Sequence, residues 1–203
     1  MTHTNSYSHK FQNRRKFSTR KEQAKTKYTP KPWSEEQYQR FIAKVDKDKP
    51  QYFVYQLMFR YGMRKGEALS VSLADIHKGE IHLKRILSNT KFGVEKTLQT
   101  ERVVPVDESF LKELRDYAAR TGVADQQALV LRISPCGLSF RFKQDCQIAG
   151  IEPTSIHVLR RSHIVMLLTT CQDKNLIAAR TGWSWSTVKA LAPSTNKPKE
   201  LVK

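Results

Sequence analysis

The second half of this chain has almost no tyrosine: all seven tyrosines lie at or before Tyr117. Cysteine is also scarce. Cys136, Cys146 and Cys171 make an odd number without metal-ligand spacing, so they read as reduced thiols, and no metal or cofactor is expected. No apolar run approaches the roughly 20 residues of a membrane-spanning helix, and no signal-like segment stands near the N-terminus. A cytoplasmic, nucleoid-associated location with no membrane partner follows as the expectation. Acids are few as well: 19 Asp and Glu stand against 36 Lys and Arg, a formal charge of +17. An excess of that size favours a polyanion, because each cation that meets a phosphate releases a condensed counterion, and double-stranded DNA is the leading partner.

The positive charge is concentrated at the start. Residues 1–31 hold nine Lys or Arg against a single acid, Glu22, with few large apolar residues. This composition reads as a disordered basic arm over 1–31, with Lys10, Arg14, Arg15, Lys16, Arg20 and Lys21 as candidate DNA contacts. Without the arm the remainder still carries a formal +9. A folded unit over 32–192 and a polar, basic C-terminal tail over 193–203 complete the expected organisation.

Within the folded unit, Ser34-Glu-Glu-Gln37 has the form of a capping box, and Phe41, Ile42 and Val45 follow at helical spacing. A second helix is predicted from about Gln51 to Tyr61, with Phe53, Leu57 and Tyr61 on one face, and a third from near Arg64. Three short strands are predicted at Glu80 to Leu87, Phe92 to Leu98 and Arg102 to Val106, separated by turns at Ser-Asn-Thr and Gln-Thr-Glu. Helices follow at Asp107 to Arg120, Leu138 to Ala149, Ile156 to Thr170, Lys174 to Arg180 and Ser184 to Leu191. The fold class is α+β: mostly helical, with a small antiparallel three-stranded sheet.

Two segments then resemble a known family, the tyrosine recombinases or phage integrases. Residues 60–76, Arg-Tyr-Gly-Met-Arg-Lys-Gly-Glu-Ala-Leu-Ser-Val-Ser-Leu-Ala-Asp-Ile, are similar to a family motif whose arginine is catalytic. Residues 157–162, His-Val-Leu-Arg-Arg-Ser, are similar to the family's His-x-Leu-Arg-His-Thr, and Thr-Gly-Trp-Ser follows at a familiar distance. The resemblance implies a catalytic-domain fold and a phosphate-binding set of Arg64, His157, Arg160 and Trp183, with a lysine in the turn of the sheet. Lys96 fits that place best and Lys91 is the alternative; Arg161 is a further candidate DNA contact. The chemistry agrees, since forked guanidiniums match the oxygens of a pentavalent phosphate. Glu67, one turn after Arg64, can orient a guanidinium. Taken alone, without Arg160 beside it, His157 reads as a structural histidine, and Trp183 is equally readable as a packing tryptophan.

In the family a tyrosine attacks the phosphate nine residues after the tryptophan position, which here is Ala192; Leu191 and Ala190 take its place if the spacing is shorter. None of these can attack a phosphate. The expectation is therefore a DNA-binding protein with a recombinase-like site and no strand-cleaving activity, serving as a regulator, repressor or accessory factor of a mobile element. It would act as a homo-oligomer or beside an active recombinase on DNA. The alternative is an active site-specific recombinase using a different nucleophile, such as a hydroxyl of Ser186, Thr187, Ser194 or Thr195.

Overall fold

Ser34 opens the first helix, α1 (Glu35–Ile42), through a reciprocal cap: its Oγ accepts from the Gln37 amide at 3.2 Å, and Gln37 Oε1 accepts from the Ser34 amide at 3.1 Å. The computed structural model describes residues 31–87, 95–171, 173–183 and 186. The arm expected over 1–31 lies outside them apart from Lys31, as does the tail over 193–203. Of the helix expected over 184–191, only Ser186 is described.

α2 (Pro50–Phe59) has proline in its first turn, and every residue from Gln51 to Phe59 is buried. A helix that is apolar on all sides belongs at the centre of a core, and α2 packs against α6 (His157–Thr170) there. The expected end at Tyr61 is two residues too long; Gly62, at φ +66°, turns the chain once the helix has ended at Phe59. Three polar side chains of α2, those of Tyr52, Tyr55 and Gln56, are paired. Tyr38 donates to Gln56 Oε1 at 3.1 Å, Gln56 donates to the Tyr52 hydroxyl at 3.0 Å, and Tyr55 donates to Asp145 at 2.9 Å.

α3 (Lys65–Leu69) and a short 3-10 turn (Leu73–Asp75) lead into the sheet. Its strands are β1 (Ile76–His77), β2 (Glu80–Leu87) and β3 (Glu95–Pro105), antiparallel in that order. The architecture is thus mostly helical with a small three-stranded antiparallel sheet, but the strands are not divided as expected. The polar Gln-Thr-Glu does not make a turn. Leu83 pairs with Arg102 while Arg85 pairs with Thr97, so two steps along β2 match five along β3 and the surplus is taken up as a bulge within one strand. The third strand is instead Ile76–His77, too short to show an alternating pattern.

α4 (Glu108–Arg120) buries Phe110, Leu111, Leu114 and Ala118, as its periodicity predicts. α5 (Pro135–Ile148) starts three residues before the expected Leu138, because Ser134 Oγ accepts from the Gly137 amide and Pro135 occupies the first turn. α7 (Lys174–Thr181) is capped by Asp173 and ends at Gly182, which is left-handed at φ +61°. The N-terminal entry is held by the Trp33 amide, which donates to Ser162 Oγ on α6 at 2.7 Å. Its ring lies 5.1 Å from that of Phe41 and 5.8 Å from that of Phe142. Among the described residues no helix is long and apolar enough to cross a membrane.

Candidate phosphate-binding site

The turn at Gly62 delivers Arg64 to the start of α3. A side chain at Gly62 would run into the buried ring of His163, its Cβ falling 2.8 Å from Nε2. One helical turn further on, Glu67 is fully buried and returns to Arg64: Oε2 accepts from the Arg64 amide at 2.7 Å, and Oε1 accepts from Nη1 at 2.6 Å. Arg102 on β3 donates through Nη2 to Glu67 Oε2 at 2.7 Å. Arg160 on α6 brings Nη1 to 3.9 Å from the same oxygen. One buried carboxylate thus faces three guanidiniums, which leaves a local excess of two positive charges.

The other face of this cluster is the C-terminal end of α7. Arg102 Nη1 donates to the carbonyl of Arg180, Arg160 Nη2 to that of Thr181, and Arg64 Nη2 to that of Gly182, the last at 2.6 Å. These are carbonyls that a helix leaves unpaired at its end, carrying the negative pole of its dipole. Arg160 also donates through Nη1 to the Gly62 carbonyl, and its guanidinium carbon stands 4.8 Å from the centre of the Trp183 ring. Glycine at position 182 keeps the approach open, since a Cβ there would lie 3.2 Å from Arg64 Nη1.

Exposure separates the three arginines. The Arg64 side chain is 33% exposed, that of Arg102 10%, and that of Arg160 3%, so Arg64 is the guanidinium an incoming anion would meet. His157 begins α6 one turn before Arg160 and is open to solvent on only part of its surface. Desolvation, and then the charges of Lys65 and Arg160, hold its pKa below the ordinary histidine value, which favours the neutral ring at pH 7. Burial and the neighbouring Arg64 push Arg160 down to about 9, with Glu67 opposing, so it remains charged at neutral pH. Burial alone would raise the pKa of Glu67, but Arg102 and the Arg64 amide and guanidinium outweigh it and keep the carboxylate ionised.

The structure therefore brings Arg64, Arg160 and Trp183 together, with His157 on the same helix as Arg160. It does not bring Arg161 into the cluster. That residue is half-buried, and its Nε has no hydrogen-bond partner among the described residues. The backbone of Lys96 pairs with Ile86 near the start of β3. Lys91, Ala192 and the arm residues Lys10, Arg14, Arg15, Lys16, Arg20 and Lys21 lie outside the described residues. Two residues of the cluster's surroundings escaped sequence reasoning. Arg102 was legible only as the start of a strand. Lys65 follows Arg64 directly, yet it is buried, with Nζ 3.3 Å from the Pro135 carbonyl and 3.2 Å from Ser139 Oγ.

The tyrosines that are described serve the core. Burial raises the phenol pKa of Tyr38, Tyr55, Tyr61 and Tyr117, which opposes ionisation, and Tyr61 donates to Asp107 at 2.8 Å.

A profile of the Phage integrase family matches residues 33–190. The chain belongs to the phage integrase family. No curated protein sequence matches this integrase-family chain. Among solved structures it is similar to XerA recombinase, with a TM-score of 0.66 and 19% identity over 83% of this chain and 60% of that one. It is also similar to the Tn1549 transposon integrase in complex with a circular intermediate DNA, with a TM-score of 0.69 and 14% identity over 82% of this chain and 63% of that one. The catalytic domain of bacteriophage HP1 integrase gives a TM-score of 0.59 and 15% identity over 82% of this chain and 91% of that one. The integrase-family chain spans about 60% of the length of XerA recombinase, and at these identities the likeness concerns the fold.

Proposed function

We propose that this integrase-family domain binds duplex DNA by holding a backbone phosphate at Arg64, with Arg160, Trp183 and His157 around it, and that it does not cut the strand. One observation carries the reading: three guanidiniums share a single buried carboxylate, so the site keeps an uncompensated positive charge, and Arg64 is the member open to solvent. An anion supplies what such a site lacks. Two relatives of like fold, the Tn1549 integrase and XerH recombinase, are each described bound to DNA, which makes a duplex the natural source of the phosphate. Strand cleavage needs a nucleophile as well, and residues 118–203 contain no tyrosine to supply a phenol. A domain of this kind would occupy DNA as a repressor, a regulator or an accessory factor of a mobile element, alone as a homo-oligomer or beside an active recombinase. Lys96, or Lys91 in its stead, Arg161 and the basic arm would add phosphate contacts.

The test is a gel-shift titration of duplex DNA with the parent protein and Arg64→Ala. Loss of one charged phosphate contact is expected to weaken binding by roughly tenfold or more while the protein stays folded. Equal affinity would remove Arg64 from the interface. The near-complete cationic set also keeps an active recombinase with another nucleophile in view. Incubation with a duplex nicked beside the scissile phosphate, on a recovered binding site, is expected to yield no covalent adduct. A denaturation-resistant protein–DNA band would establish cleavage instead.

A further inference from the structure

We infer that Arg102 is a positioning residue of this site, setting Arg64 and Arg160 for the phosphate through Glu67 and the end of α7; this rests on the DNA-binding reading above. Its side chain is only 10% exposed, and each end of its fork is already engaged: Nη2 by Glu67 Oε2 at 2.7 Å, Nη1 by the carbonyl of Arg180. Its Nε is buried as well and has no partner among the described residues, and Arg160 is buried more deeply still, which leaves Arg64 as the open guanidinium of the three. What the fork does is join three elements. Arg102 stands on β3, Glu67 on α3, and Arg180 near the end of α7.

Both ties act on the other two arginines. Arg102 takes one oxygen of Glu67, the one that also accepts the Arg64 amide, and leaves Oε1 to the Arg64 guanidinium at 2.6 Å. It also holds the first of three successive carbonyls, the next two of which receive Arg160 and Arg64. Without Arg102, Glu67 Oε2 loses a partner and can shift toward Arg160, which already lies 3.9 Å away, and the end of α7 loses a link to the sheet. A lysine would keep the charge but not the fork, and a single ammonium cannot reproduce two diverging donors fixed in one plane. The bulge in β3, between the pairs Arg85–Thr97 and Leu83–Arg102, lies immediately before this residue and sets its register.

The experiment is a double-mutant cycle on binding to a fluorescein-labelled random-sequence duplex, using the parent, Arg64→Ala, Arg102→Lys and the combination. Arg102→Lys is expected to weaken binding roughly tenfold, the scale of a lost hydrogen bond between charged groups. Adding Arg64→Ala to it should cost well under half of what Arg64→Ala costs alone, because Arg102 acts through Arg64. Additive losses, or an Arg102→Lys protein that binds like the parent, would overturn the inference. A second measurement does not involve DNA. In proton–nitrogen spectra of the guanidinium groups, the Arg64 and Arg160 signals should move in Arg102→Lys and in Arg102→Gln, and unmoved signals in a folded variant would equally sink it. If Arg64→Ala leaves DNA binding intact, the phosphate reading fails, while the spectra still judge Arg102 on its own.

Discussion

Glu67 offsets three guanidiniums with one carboxylate, and glutamine at this position would keep the shape while removing the charge. Glu67→Gln is expected to destabilise the fold by about 3–5 kcal/mol in urea unfolding, the range for a buried ion pair that loses one partner. A change under about 1 kcal/mol would mean that the arginines are held by the α7 carbonyls alone. His163 provides a second prediction at this scale. Burial pushes its pKa down to about 4, and the neutral ring donates from Nδ1 to the Phe59 carbonyl at 2.9 Å. The unfolded chain takes up the proton near the ordinary value of about 6.5, so the stability from the neutral ring is present above that pH and is lost as pH falls toward 4. At the acid end the loss amounts to roughly 3 kcal/mol, from the difference of about 2.5 pH units. His163→Gln, which retains a donor, should flatten the fall in unfolding free energy between pH 7 and 5; an unchanged profile would place the titration elsewhere.

At the scale of elements, the end of α7 leaves little room for a change of geometry. Gly182→Ala would force an alanine to a positive φ and set its Cβ 3.2 Å from Arg64 Nη1. The expected outcome is a stability loss of about 1 kcal/mol together with weaker DNA binding, read from thermal unfolding and gel shift. Retained affinity would show that Arg64 can bind from a displaced position. This end of α7 also marks how far the sequence could be read. The amphipathic helices were legible because Phe110, Leu111, Leu114 and Ala118 recur at helical spacing, and α1 because its capping box is local. The sheet was misdivided, since Gln-Thr-Glu has the composition of a turn and only pairing with β2 reveals it as a bulge. Within the site, Arg64, Arg160 and Trp183 stand in motifs, whereas Arg102 joins them through a carboxylate 35 positions away and a carbonyl 78 positions away. Contacts to main-chain carbonyls leave no mark on the identity of the residue that supplies them.

Over the whole molecule, charge sets the expected behaviour on DNA. Affinity should fall steeply with salt, and a chain starting at Lys31 would lose eight of the 36 Lys and Arg. Each phosphate contact contributes about 0.9 to the slope of log affinity against log salt, so the shortened chain should show a slope lower by several units if the arm tracks the backbone. Equal slopes would confine binding to the folded unit. Arginines at 64, 102 and 160, from the cap of α3, from β3 and from α6, converge on the carbonyls of residues 180, 181 and 182. One residue inserted into α7 would rotate that end by about 100° and swing all three acceptors away, although every side chain of the site would remain in the sequence. A search for inactivating changes confined to substitutions would therefore miss the most economical one, a shift of helical phase that disconnects three parts of the protein at once.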